Sequence, residues 1–192
     1  MKKMIVKDLM VPLSDYPVVD ENATIYEAVK ALAEAQKRFD PSRYRHRAVL
    51  VADASGRIVG KLGQLDMLRA LEPKYNEMRS GAKVTRLGFS RKFLLSMLDR
   101  YELFSQPIEQ MCLNVFEQKV TRYMQRPGEG EQIEADASLD QAVHLLVVCQ
   151  HPSLLVMEGE RIAGILRLTD VFSSVFGVID RCVPPSFNAD KG

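Results

Sequence analysis

The chain has 192 residues, 26 Lys+Arg against 25 Asp+Glu, and a formal net charge of +1. That composition is an ordinary globular mix, which excludes a mainly disordered chain and fits one large domain or two small ones. The balanced charge argues against a dedicated nucleic-acid binder, and no apolar run reaches the roughly 18 residues of a membrane span.

Met1-Lys2-Lys3-Met4-Ile5-Val6-Lys7-Asp8 lacks the apolar stretch of a signal peptide, so a cytoplasmic chain is expected. An extended entry ends near Met10, and a short strand follows at Val18-Val19. The helix Thr24–Lys37 opens on a capping box, with Glu27 three residues after Thr24, and is expected to bury Ile25, Ala28, Val29 and Leu32. Strands Ala48–Ala52 and Ile58–Leu62 flank the turn residues Asp53-Ala54-Ser55-Gly56. A second, shorter helix starts near Asp66.

Residues 72–116 are too long for a plain loop and read as helical. Ser90 is a candidate N-cap, and Phe93, Leu94, Met97, Leu98 and Tyr101 recur at helical spacing. Ile108, Met111, Cys112, Val115 and Phe116 do the same after Pro107. Core packing is the first expectation for these faces, and a dimer or partner face the second.

The earlier pattern then returns. Val6 matches Val120, Met10 Met124, Val19 Ile133, Thr24 Ser138, Ala28 Ala142 and Leu32 Leu146, each pair 114 positions apart. Ile58 matches Ile162, Gly60 Gly164, Leu62 Leu166 and Asp66 Asp170, each pair 104 apart. The first copy therefore carries ten more residues, mostly the polar stretch from Arg38 to Arg47. The second copy has its own capping box at Ser138 and Gln141, strands at Leu154–Met157 and Ile162–Leu166, and a short helix near Asp170. Each copy reads strand, helix, strand, strand, helix. Repeat one spans 1–71, the helical insert 72–116, repeat two 117–180 and a frayed tail 181–192.

Cys112, Cys149 and Cys182 are odd in number, far apart and form no CxxC. They are expected to be small buried or half-buried apolar residues in a reducing compartment. His144, Cys149 and His151, spaced five and two apart, share no helical face, so no metal site is expected.

The segments Val6-Lys7-Asp8-Leu9-Met10-Val11-Pro12, Ala23-Thr24-Ile25-Tyr26-Glu27-Ala28 and Val49 through Asp66, with their second-copy counterparts through Arg161-Ile162-Ala163-Gly164 and Asp170, resemble a tandem pair of cystathionine-beta-synthase (CBS) domains, a Bateman module. The resemblance covers about two thirds of the chain. It implies an α/β (α+β) fold of two βαββα repeats related by a pseudo-twofold axis, with the helical insert between them, and a homodimer. It also implies a regulatory role in which clefts between the repeats bind an adenosyl ligand such as AMP, ADP, ATP or S-adenosylmethionine.

In the family, Gly-x-x-Thr/Ser-x-x-Asp closes each repeat, and the Asp accepts hydrogen bonds from ribose hydroxyls. The Asp maps to Asp66 and Asp170. Gly63 and Arg167 stand where the hydroxyl residue would be, Thr169 offers a hydroxyl one residue before Asp170, and Leu50 and Leu155 replace a proline common in the family. Arg167 can grip a phosphate or fill the second cleft itself. Each aspartate also stands at a helix start, where Asp is a favoured N-cap. Arg45, His46 and Arg47, in the ten-residue excess with Arg43, are candidates for a phosphate or simply a solvated charged loop. Lys61 lies on a strand and can face either way.

A stand-alone nucleotide-sensing module acting on a regulated partner is the expected function, and a ligand-free dimeric interaction scaffold the alternative. No enzyme is expected: the sequence has no nucleophile–base pair and no P-loop, and two repeat-related aspartates suit two binding sites better than one acid–base pair. No cofactor is required, and neither nucleic acid nor membrane is an expected partner.

Overall fold

The computed structural model describes residues 4–38, 44–81 and 90–181. The expected frayed tail from 182 onward, Cys182 and Arg43 lie outside the described residues.

A 3-10 turn at Val6–Asp8 leads into β1 (Val11–Pro12), and a second at Leu13–Asp15 into β2 (Val18–Asp20). Then come α1 (Ile25–Lys37), β3 (Ala48–Ala52), β4 (Ile58–Gly63) and α2 (Gln64–Arg69). The insert supplies α3 (Lys74–Gly81), α4 (Arg91–Arg100) and α5 (Ile108–Glu117). After 3-10 turns at Val120–Arg122 and Glu129–Glu131 the order repeats as β5 (Gln132–Glu134), α6 (Leu139–Cys149), β6 (Ser153–Glu158), β7 (Arg161–Arg167) and α7 (Leu168–Arg181). The entries, expected to be extended, are instead 3-10 turns at matching places. The second copy's last helix is not short either: α7 has 14 residues against 11 in α6. Pro73 follows α2 closely, whereas the next proline after α7 begins is Pro184.

The chain divides into two compact units, and each includes the entry segment of the other repeat. The first unit comprises 17–40 and 45–126. Its sheet runs β2-β3-β4, with β2 parallel to β3 and β3 antiparallel to β4. The capping box forms: the Glu27 amide donates to Thr24 Oγ1 at 3.2 Å, and the Thr24 amide to Glu27 Oε2 at 2.7 Å. Ile25, Ala28 and Leu32 of α1 pack with Val49, Val51, Leu62, Met67, Val120 and Tyr123. Val29 is exposed, contrary to expectation, because it lies at the edge of the stripe those three residues define.

The second unit comprises 1–16, 41–44 and 127–192. Its sheet runs β1-β7-β6-β5. Val6, Ile133, Ala142, Leu146, Leu154, Val156, Leu166 and Val171 form its core. Entry segments dock alike in both units. The Val6 amide donates to the Ala137 carbonyl, and the Val120 amide to the Ala23 carbonyl, each at 3.0 Å. Val11 pairs with Ile165, and Gln125 with Lys61. Glycine makes both approaches possible. A Cβ on Gly60 would lie 2.4 Å from Met124 Sδ, and one on Gly164 would lie 2.4 Å from the Val11 carbonyl oxygen.

The insert divides in its packing. α5 buries Met111 and packs on α1, where Phe116 stacks on Tyr26 with centroids 4.4 Å apart. The turn between α4 and α5 is tied to the start of α3: buried Glu72 accepts the Phe104 amide at 2.8 Å, and Lys74 Nζ donates to the Glu102 carbonyl. α4 begins at Ser90, whose Oγ accepts the Phe93 amide at 3.2 Å. It leaves Phe93, Leu94, Leu98 and Tyr101 exposed, so core packing does not describe this helix. Cys112 is likewise exposed on α5, contrary to expectation, because Met111 occupies the buried line of that helix. No helix among the described residues is long and apolar enough to cross a membrane.

Candidate functional site

The hairpin register carries β3 and β4 of the first unit to the start of α2. Ala48 pairs with Gly63, and the Gln64 amide donates to the Arg47 carbonyl at 3.0 Å. In the second unit Ser153 pairs with Arg167, and the Leu168 amide donates to the Pro152 carbonyl at 3.0 Å. The equivalence sets His46-Arg47 against His151-Pro152 and Gly63 against Arg167. Two identical backbone frames therefore present different side chains.

In both frames the aspartate is the third helical residue, not the N-cap expected for it. Gly63 is the N-cap of α2, and Asp66 Oδ2 accepts its amide at 3.0 Å. An acid at that position reaches back to an orphan amide, the acidic half of a capping box. Asp66 is 1% exposed. It also accepts Arg69 Nη1 at 2.7 Å and Gln125 Nε2 at 3.1 and 3.2 Å. An acceptor-only carboxylate can be buried when charged and polar donors surround it in this way.

Asp170 is half-buried at the start of α7. Arg167 grips both its oxygens, Nε to Oδ2 at 2.5 Å and Nη2 to Oδ1 at 2.6 Å, in a bidentate fork. Arg167 Nη1 donates to the Tyr44 carbonyl at 2.6 Å, and the arginine is 5% exposed. Thr169, half-buried, lies between them in the first turn. Tyr16, buried near this pair, has its phenol pushed up to about 12, first by burial and then by the Asp170 charge, with Arg167 opposing.

The basic segment divides by side chain. Arg45 and Arg47 are exposed, and the Arg47 backbone borders Gly63. His46 between them is 1% exposed, and its carbonyl accepts Gln36 Nε2 at 2.8 Å. Lys61 is buried in the first unit, its backbone bonded both ways to Gln125 at 2.9 Å. His151 faces Glu131, with Nδ1 3.4 Å from Oε1. No group of three or more His, Cys, Asp or Glu among the described residues is placed to hold a metal.

Sequence reasoning missed Arg69, Gln125, Tyr44 and Tyr16. Arg69 was legible, because an acid and a base three apart on a helix are neighbours. Gln125 was partly legible through the 114-position offset, which pairs it with Val11. Tyr44 and Tyr16 are brought to Arg167 by tertiary structure and leave no local signal.

Residues 6–73 match the family model described as the CBS domain. No curated protein sequence matches the chain. Among solved structures it is similar to CBSX2 from Arabidopsis thaliana, a CBS-pair protein, at 16% identity and a TM-score of 0.59, covering 93% of this chain and 99% of that one. A structure of CBSX2 in complex with AMP matches at 18% identity and a TM-score of 0.55, covering 91% and 98%. A hypothetical conserved protein from Geobacillus kaustophilus matches at 21% identity and a TM-score of 0.57, covering 92% and 98%. With a matching CBS domain over residues 6–73, the same strand and helix order in its second repeat and this likeness along its length, the chain has the fold of the CBS-pair proteins it is similar to.

Proposed function

We propose that the chain is a stand-alone regulatory module that binds an adenosyl nucleotide and passes its state to a partner protein. The observation that carries this is Asp66: a carboxylate buried at a helix start, bordered by Gly63 and by the basic Arg45–Arg47 segment. A carboxylate accepts two ribose hydroxyls, and exposed arginines suit phosphates. Gly63, Asp66, Arg45, His46 and Arg47 are the candidate residues of the first repeat, and Arg167, Thr169 and Asp170 those of the second. The AMP complex of a protein with the same fold supports the ligand class. By linkage, a ligand can regulate only if it binds one conformation of the module better than another.

The role is regulatory rather than catalytic, the setting cytoplasmic and the assembly a homodimer. Support for a dimer comes from α7, which exposes Leu168, Phe172, Phe176 and Ile179 at helical spacing, with Phe172 62% exposed. A second reading, a ligand-free scaffold docking through the insert, is favoured by the uncovered apolar residues of α4.

A thermal-shift panel of AMP, ADP, ATP, S-adenosylmethionine, NADH and cyclic dinucleotides tests the choice. A nucleotide at about 100 times its Kd stabilises by about 2.7 kcal/mol, or about 5–10 °C for a chain of this size. The expected shift is lost in Asp66→Ala. No shift with any of the panel, from a folded protein, favours the scaffold.

A further inference from the structure

Corresponding aspartates are neutralised from opposite directions in the two repeats. In the second, Arg167 arrives from the end of β7, three residues before Asp170. It stands at the position of Gly63, takes both carboxylate oxygens and gives its remaining nitrogen to the Tyr44 carbonyl. In the first, Arg69 arrives from one turn later in α2, three residues after Asp66. It meets Asp66 through a single nitrogen and keeps a side chain 27% exposed. The other side-chain donor to Asp66 is the neutral amide of Gln125.

A ligand that offers two hydroxyls to a carboxylate has to replace the donors already there. At Asp66 the side-chain donors are a neutral amide and an arginine whose side chain is partly exposed, so both can withdraw and be rehydrated while the Gly63 amide stays in place. At Asp170 the same exchange would strip a buried guanidinium of its carboxylate, the costly way to break a buried pair. Arg167 is also covalently part of the site, so it competes at a high effective concentration that a free ligand cannot match.

We propose that Arg167 is a built-in occupant of Asp170, and that the chain takes up an adenosine nucleotide at Asp66 alone, with Arg69 the group that gives way. This rests on the nucleotide-binding reading above and assigns the two repeats different roles. The second repeat becomes a permanently filled copy.

Isothermal titration of the full chain with AMP, and separately with ATP, tests the assignment. The expected stoichiometry is one per chain. Asp66→Asn, which keeps the size of the side chain and removes its charge, weakens binding by about 30-fold, as loss of a charged hydrogen-bond acceptor implies. Arg167→Gly, which restores the residue of the first repeat, raises the stoichiometry to two, and the double variant returns it to one. Arg167→Ser serves if the glycine variant does not fold, as judged by circular dichroism and a cooperative melt. Two sites in the wild type, one site that survives Asp66→Asn, or a folded Arg167 variant still at one site each overturns the assignment while leaving nucleotide binding intact. No binding of either probe by the wild type and by the Arg167 variants overturns nucleotide binding itself, and the assignment with it.

Discussion

The starts of α2 and α7 share a backbone and differ in chemistry. In both, a strand residue pairs with the residue just before the helix, and the first helical amide donates to a carbonyl on the neighbouring strand. Both place an aspartate third in the helix. The side chains around the aspartate then separate them: Gly63, Arg69 and Gln125 in one stand where Arg167, Ser173 and Val11 stand in the other. Glycine before α2 leaves Asp66 to recruit Arg69 and Gln125, whereas arginine before α7 supplies Asp170 with its own fork. A duplicated fold thus holds the frame constant while the side chains set around the carboxylate decide whether its partner is replaceable or built in.

The largest expected effect comes from breaking the two pairs. Arg167→Ala leaves Asp170 half-buried without its fork and should cost about 3 kcal/mol, whereas Arg69→Ala, which removes one contact from a partly exposed arginine, should cost about 1 kcal/mol. Urea unfolding of the two variants measures the difference, and equal losses would erase the contrast between the repeats.

Tyr16 sharpens the same contrast at alkaline pH. Its phenol rises from 10.0 to about 12 in the folded chain, so the unfolded state ionises first. The stabilisation is fully present below pH 10 and is lost as pH rises through about 12. A rise from 10.0 to about 12 corresponds to about 3 kcal/mol. Stability measured from pH 9 to pH 12 should fall more steeply in the wild type than in Tyr16→Phe, and parallel curves would show that the phenol is not held in its neutral form.

The entry segments supply a third test. A Cβ at Gly164 meets the Val11 backbone, which cannot turn aside, whereas one at Gly60 meets the Met124 side chain, which can. Gly164→Ala should cost about 2–3 kcal/mol and Gly60→Ala about 1 kcal/mol. Thermal melts of the two variants decide the order.

The smallest effect is expected in the β3–β4 turn. Hydrogen bonds from Ser55, followed by those from Arg57, hold the Asp53 carboxyl at about 2, below its ordinary 3.8. The stabilisation is present above pH 3.8 and disappears as pH falls through about 2. Asp53→Asn should flatten that part of the acid-unfolding curve, and an unchanged curve would remove the turn from the account.

Much of the architecture was legible in the residues. Two offsets, 114 and 104, located the repeats, and Thr24, Ser138 and Ser90 marked helix starts, because capping and apolar periodicity act within a few residues. The aspartates at the helix starts were legible for the same reason. The exposure of Val29 and Cys112 and the bare faces of α4 were not, since periodicity shows that a face is apolar but not whether anything covers it.

The sequence by itself determined the duplication, the order of elements, the balance of charge and the placing of an aspartate at each closing helix. All of these follow from local spacing and side-chain type. Only the tertiary structure decided that each entry segment belongs to the other repeat's unit, that Gln125 reaches Asp66, and that Arg167 meets Asp170 and the Tyr44 carbonyl together. Those contacts join residues 59 and 123 positions apart. Their energies depend on burial and direction, which arise only when the chain has packed.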